Sequence, residues 1–269
     1  MIAVLMILII IFLLSPATSK ALLVQKYEIR TEKVQESIRL ALITDLHSCY
    51  YGEGQSELVN AIIEQNPDLI LMCGDIMEED MPHDNSIVFL EAVTPTYPCY
   101  YVTGNHEFKS GVSEIKEILG KYHVNILEGE GQLVPVRNQL INICGVDDWI
   151  IGKEVYLKQL QNAEADIDDN FYAVLLTHRP ELIEMHAAYQ FDLVLSGHAH
   201  GGQWRIPGVL NGVFAANQGF FPPYAGGYYE VEDTKMVVSR GLAKETTFLP
   251  RIFNRPELVI VDIIPKENV

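Results

Sequence analysis

Five short apolar runs in this chain end in the same way: ALITDLH, LILMCGD, YVTGNHE, VLLTHRP and LVLSGHAH. A short apolar run with no polar alternation predicts a strand buried on both faces, and such strands sit in sheets covered by helices. Each run stops at a small or polar residue and then presents Asp, Asn or His. The residues so presented are Asp45 and His47, Asp75, Asn105 and His106, His178, and His198 and His200. In open α/β sheets, ligands bind outside the carboxyl ends of the strands. Asp45, Asp75 and Asn105 recur at an interval of 30 residues. That is about one βαβ unit, so the first three strands can bring their ends together.

The intervening sequence fits this alternation. SELVNAIIEQ predicts a helix with apolar positions at 58, 59, 62 and 63. Further helices are expected around Ser86–Val93, in SEIKEILGKY and around Glu154–Asn162, and QLVPVRNQLINICGV predicts a β-hairpin turning near Arg137-Asn138. KMVVS and ELVIVDII add strands near the end. Helices flanking two groups of strands predict an α/β layered sandwich. At 269 residues and 48% hydrophobic, the chain can bury one sizeable core.

The amino terminus differs. MIAVLMILIIIFLL is uninterruptedly apolar and leads into SPATSK. Residues 1–24 are expected to be a membrane anchor if Lys20 snorkels, or else a signal segment cleaved near Ala17-Thr18-Ser19. Residues 25–37 are expected to be a linker, and 38–269 the catalytic domain. Lys20, Lys26, Arg30 and Lys33 follow the apolar run, which tilts the expectation toward a membrane-associated protein with its catalytic domain on the cytoplasmic face. Were the segment cleaved, a secreted form is expected instead.

The residues at the strand ends form a donor set. Setting His106 aside, it holds two carboxylates, one amide and four imidazoles, and no thiolate. Such donors suit Mn²⁺, Fe or Zn²⁺ rather than Ca²⁺ or a thiolate zinc site. Seven ligands exceed one tetrahedral ion and suit two divalent ions sharing a carboxylate. Gly74, Gly104 and Gly197 let the backbone turn off its strands close to an ion. Any one of these residues alone reads as a turn or capping residue; the metal reading rests on the set. His83, His123 and His186 lie elsewhere and read as surface or packing histidines. Cys49, Cys73, Cys99 and Cys144 show no CxxC spacing and read as buried thiols. The net charge of −17 argues against nucleic acid as a partner. It leaves room for a small phosphate ester, because metal ions bring their own positive charge.

D-x-H, G-D, G-N-H-E, a lone His after a strand, and G-H-x-H, in that order, resemble the calcineurin-like metallophosphoesterase superfamily over residues from Ile38 onward. GHAHGGQW, NQGFFPPYAGGYY and RIFNRPEL resemble a bacterial membrane-attached branch of it. The resemblance implies a four-layer αββα sandwich of two mixed β-sheets flanked by helices. It implies that Asp45, His47 and His200 hold one ion, that Asn105, His178 and His198 hold a second, and that Asp75 bridges both. His106 would face the substrate phosphate, placed to protonate the leaving oxygen. Glu107 would either orient His106 or lie on the surface.

The expected activity is hydrolysis of a phosphoester, a diester foremost, with manganese expected ahead of iron or zinc. The substrate is expected to be lipid-linked or near the membrane if Phe214, Phe220, Phe221 and Tyr224 form an apolar rim; otherwise those residues pack a loop. Arg179, Arg205 and Arg240 are candidate phosphate contacts or, equally, surface charges. Two alternatives stay open: a pyrophosphatase acting on a nucleotide-sugar lipid such as UDP-2,3-diacylglucosamine, and a non-catalytic metal-stabilised envelope binding protein. A serine hydrolase and a P-loop nucleotidase are disfavoured, because neither G-x-S-x-G nor G-x-x-x-x-G-K-[ST] occurs.

Overall fold

The computed structural model describes residues 15–244 and 250–266. Along the chain the first sheet gathers β1 (Leu23–Thr31), β2 (Ile38–Ile43), β3 (Leu69–Cys73), β4 (Cys99–Val102) and β5 (Asn125–Ile126). The second gathers β6 (Glu130–Val136), β7 (Gln139–Gly145), β8 (Ala173–Leu176) and β9 (Leu193–Ser196). A small hairpin, β10 (Phe214–Ala215) and β11 (Gly219–Phe220), stands apart. Strands β12 (Gly227–Val231) and β13 (Thr234–Val238) then complete the second sheet, and β14 (Glu257–Pro265) returns to the first. The sheet orders are β1-β14-β2-β3-β4-β5 and β12-β13-β9-β8-β7-β6.

The helices are α1 (Ser56–Gln65), α2 (Asp84–Val93), α3 (Asn105–Ser110), α4 (Val112–Lys121), α5 (Lys153–Ala165) and α6 (Ile183–His186). Side-chain alternation explains the layering. On β2, Leu40 and Leu42 point into a core shared with Ile143 of β7, Val174 of β8 and Leu195 of β9. Ala41 and Ile43, one step over, pack outward against Leu58, Ile62, Phe89 and Leu90 of α1 and α2. On the far side, Leu175 and Val194 pack against Tyr156, Leu160 and Ile183 of α5 and α6. Two mixed sheets face each other with helices on both outer surfaces, which is the expected αββα sandwich. The hairpin forms where it was anticipated, with Val136 opposite Gln139.

The amino-terminal expectations need correction. Residues 25–37 are no linker: most of them lie in β1, which runs parallel to β14 from Leu23 opposite Glu257 to Thr31 opposite Pro265. Ile29 and Tyr27 pack toward the core between the sheets, and Leu22 and Val24 pack toward the helices. An anchor reaching to Val24 therefore does not hold, because Leu23 and Val24 carry sheet pairing. Ser15–Thr18 form a short 3-10 turn, with Ala17 buried and its carbonyl accepting from the Phe253 amide. No helix among the described residues is long and apolar enough to cross a membrane. Membrane attachment through residues 1–24 is thus not upheld, and residues 1–14 lie outside the described part.

Candidate metal centre

Strands β2, β3 and β4 are parallel neighbours in the first sheet, and β8 and β9 are parallel neighbours in the second. Their carboxyl ends point the same way, and backbone pairing continues past them. The Asp45 amide donates to the Gly74 carbonyl at 3.0 Å, and the His47 amide to the Asp75 carbonyl at 3.0 Å. In the other sheet the Gly197 amide donates to the His178 carbonyl at 3.1 Å. Two bonds then cross between sheets. The His198 amide donates to Asp45 Oδ1 at 3.0 Å, and His178 Nδ1 donates to the Cys73 carbonyl at 2.8 Å.

This closeness leaves little room for backbone side chains. A Cβ on Gly104 would lie 2.2 Å from Asp75 Oδ1, and one on Gly197 would lie 2.4 Å from Asp45 Oδ2. The presented residues are themselves bent: Asp45, His47, Asp75, His198 and His200 have φ of 49°, 48°, 53°, 63° and 46°. Left-handed backbone is uncommon outside glycine, and clusters of it gather at functional sites because it costs energy elsewhere unrepaid.

Asp75 lies at the middle, almost wholly buried. Its Oδ2 is 3.1 Å from His178 Nε2, 3.8 Å from His47 Nε2 and 4.0 Å from His106 Nε2. Its Oδ1 accepts the His106 amide at 2.9 Å. Asp45, His47 and His200 offer atoms all within 4.8 Å of one another, and so do Asp75, His178 and His198. Asn105 lines the same cavity as Asp75, His106, His198 and His200. The structure therefore brings all eight expected residues to one place.

Their partners decide which atoms face inward. His178 gives its Nδ1 hydrogen to Cys73, and His198 Nε2 donates to Asn217 Oδ1 at 2.7 Å. The remaining lone pairs, His178 Nε2 and His198 Nδ1, face each other at 3.1 Å beside the Asp75 carboxylate. A proton on His178 Nε2 or a bound cation reconciles these three facing groups. His47 Nδ1 lies 2.7 Å from Glu78 Oε2, which turns Nε2 toward Asp75, where it finds no hydrogen-bond partner. Asn105 Oδ1 is likewise buried and unpartnered. A hard, N/O-rich donor set with orphaned lone pairs fits divalent cations.

The electrostatics divide the imidazoles: two are ready for a cation, while His178 holds a proton that a cation would displace. Burial pushes His198 down to about 4, with the His178 charge adding to it, and burial with His47 and Arg251 holds His200 well below its usual range. Both are neutral at pH 7, the form that binds metal. Burial opposes charge on His178 too, but Asp75 and Asp45 carry it up to about 10. Burial would also raise Asp75, yet His178, His47 and His106 keep it well below the carboxylate range.

Several working contacts escape sequence reasoning. Glu79 Oε2, not Glu107, takes the Nδ1 hydrogen of His106 at 2.7 Å. Glu107 is buried and clasps the Asp75, Ile76, Met77 and Gly104 amides, so it fixes the loop rather than lying on the surface. Glu78 and Glu79 carried one legible signal, an acidic pair just after Asp75; Asn217 carried none. Arg251 Nη2 lies 3.2 Å from His200 Nδ1.

Above the ligands opens a cavity of about 340 Å³, whose cations are Lys109 and Arg179. Arg179 is pinned by two bonds to Asp148, at 2.7 and 2.9 Å. Arg205 and Arg240, expected beside it, line a different cleft. Ala216 and Asn217, at the tip of the β10–β11 hairpin, close one side of the cavity. On that hairpin Phe214 and Phe220 pack edge to face, Phe220 and the adjoining Phe221 are mostly exposed, and Tyr224 instead packs on Tyr229. All four cysteines are buried, as expected of them.

The family model for calcineurin-like phosphoesterases matches residues 38–202. An uncharacterized metallophosphoesterase of Aquifex aeolicus is 31% identical over 255 residues, covering 91% of this chain and 93% of that protein. One from Campylobacter jejuni is 29% identical over 91% of this chain, which spans 64% of that relative's length. An Escherichia coli protein named phosphodiesterase YaeI is 27% identical, over 84% of this chain and 82% of its own. Among solved structures, a dimetal phosphatase from Danio rerio matches with TM-score 0.50 at 13% identity, over 79% of this chain and 90% of that one. The Haemophilus influenzae NAD nucleotidase matches with TM-score 0.55 at 13% identity, over 77% of this chain and 45% of that one. These two show likeness of fold.

Proposed function

The chain belongs to the calcineurin-like phosphoesterase family, and on that premise we propose that it hydrolyses phosphodiesters at a two-metal site. Asp45, His47 and His200 would hold one divalent cation and Asn105, His178 and His198 the other, with Asp75 between them. Ions so held stabilise charge on phosphoryl oxygens and acidify water. Manganese is the expected ion, because the donors are carboxylate, amide and imidazole.

The protein's own groups supply the rest. His106 is about one quarter exposed, so its Nε2 reaches substrate while Glu79 holds Nδ1. In that setting Nε2 delivers a proton to the departing alkoxide, the step a poor leaving group needs. Glu79 fixes the ring and stabilises the charge it carries before transfer.

The observation that carries the diester reading is charge. Both cations of the cavity already have carboxylate partners: Lys109 with Glu79 at 3.4 Å, and Arg179 with Asp148 at 2.7 Å. The protein thus adds little surplus positive charge beyond the metals, which suits a monoanionic diester better than a dianionic monoester. Similarity to a protein named as a phosphodiesterase supports the same reading. The test is kcat/KM of the manganese-loaded chain on bis(p-nitrophenyl) phosphate against p-nitrophenyl phosphate. A diester preference of about tenfold, near 1.4 kcal/mol of transition-state discrimination, is expected; a monoester preference would refute it.

A further inference from the structure

A second cleft, of about 480 Å³, lies between β1 and the loops that carry Arg205, Gly226, Arg240 and Phe253, and shares no lining residue with the cavity over the metal ligands. Gln25 and Tyr27 of β1 form one wall. Arg205, Arg240 and Arg255 all reach it, in a chain whose net charge is −17. Their bonding separates them. Arg240 Nε donates to Glu257 at 2.6 Å, so its charge is matched. Arg205 donates instead to the Asn211 carbonyl at 2.9 Å and to the Asn211 side-chain oxygen at 3.0 Å. Arg255 donates to the Ala21 and Leu22 carbonyls at 2.9 and 2.7 Å. Among the described residues neither of these two guanidinium groups is paired with a carboxylate.

A guanidinium held by neutral acceptors keeps its full charge and its remaining N–H donors, while its rotamer freedom is already spent. Two such groups beside one cleft are a preorganised receptor for an anion. The rim adds a second observation. Phe253, more than one third exposed, has φ of 50°. A bulky aromatic in left-handed backbone is an outlier that the surrounding structure must hold in place. With Tyr27 it offers flat apolar surface next to the charges.

We propose that this cleft binds a phosphate-bearing ligand of about mononucleotide size, its phosphates on Arg205 and Arg255 and its planar part against Tyr27 and Phe253. The volume lies within the ordinary range for small-ligand sites. The site shares no lining residue with the cavity over the metal ligands, and the proposal does not rest on the hydrolytic reading.

The probe is α,β-methylene-ADP, titrated calorimetrically into the full-length, metal-loaded chain, with methylenediphosphonate and adenosine as separate arms. Binding of the nucleotide and of the diphosphonate, but not of adenosine, is expected. Arg205→Ala with Arg255→Ala should weaken both by at least about tenfold, the value of one lost charge-assisted bond. Those substitutions also remove loop contacts, so Gln25→Glu serves as the second variant. It adds one carboxylate to the cleft, touches no arginine bond and should weaken both probes about threefold or more. Turnover of bis(p-nitrophenyl) phosphate should stay within about twofold in every variant. Isotherms that superimpose on wild type would overturn the proposal, as would no binding of either phosphate probe. Loss of turnover in parallel with binding would overturn it too, by placing these arginines at the substrate.

Discussion

His106 and His186 are both histidines with one ring nitrogen in a strong hydrogen bond, and their surroundings give them opposite tasks. His106 Nδ1 is held by Glu79 while Nε2 faces the cavity. If it delivers a proton to the leaving group, its worth depends on how badly that group needs one. His106→Ala should cost about 10²-fold or more in kcat on an alkyl phosphodiester and much less on a p-nitrophenyl ester, with metal content unchanged. Glu79→Gln should show the same ordering with smaller losses. Equal losses on both esters would mean the ring only binds phosphate. His186 is fully buried, its Nε2 2.8 Å from the Tyr156 hydroxyl, and burial pushes its pKa down from 6.5 to about 3. The native state therefore refuses a proton that the unfolded chain accepts below pH 6.5. Its contribution is fully present above that pH and is lost progressively as pH falls toward 3. Between pH 7 and pH 5 it amounts to about 2 kcal/mol. Urea unfolding at the two pH values, on wild type and on His186→Gln, should show the variant losing less stability on acidification.

The strand end is the element in which this site is written, and glycine marks where two ends come closest. Gly104→Ala drives a methyl against the Asp75 carboxylate, where no flexible side chain can yield. It should cost about 1–3 kcal/mol of stability and weaken metal binding as Asp75 shifts. Gly120, near the end of helix α4, has open space around its Cβ position. Gly120→Ala should instead stabilise, by about 0.5–1 kcal/mol, so thermal melts and metal analysis of the pair separate the two roles. The same elements explain what was readable beforehand. Apolar β2, β3, β4, β8 and β9 each announce a buried strand and then show their donor, so ligands and layers were both visible. Strand β1 was not, because LVQKYEIRT interleaves charge with apolar residues and its partner β14 lies over 200 positions away. Nor was the choice of Glu79 over Glu107 for His106. Glu107 adjoins His106 in sequence while Glu79 lies 27 positions away, and only the path of the loop after β3 brings Glu79 to the ring. Charge alone leaves Arg179, Arg205 and Arg240 equivalent, because it does not say which cleft a loop opens into; of the three, only Arg179 lines the cavity over the ligands.

At the scale of the molecule, the donor set is where the two halves of the sandwich meet. Asp45, His47, Asp75 and Asn105 come from the first sheet; His178, His198 and His200 come from the second. The sheets also touch through apolar side chains, but at this end they meet through buried carboxylates and lone pairs. Asp45 shows the cost: burial raises its pKa and the nearby Asp75 charge adds to the rise, His178 and His47 opposing. Cations bound there offset that cost only in the folded chain, so metal should act as a staple between sheets as well as a reagent. Loading at about a hundred times Kd should add about 2.7 kcal/mol to the folded state. That corresponds to a rise in Tm of about 5–10 °C for a domain near this size, reversed by chelator. Asp75→Asn removes the carboxylate that touches both groups and should abolish most of the rise. His123→Ala, at a turn remote from the donors, should leave it intact. Differential scanning fluorimetry with and without EDTA checks all three chains, and a Tm indifferent to metal in the wild type would mean that the two sheets are joined by packing alone.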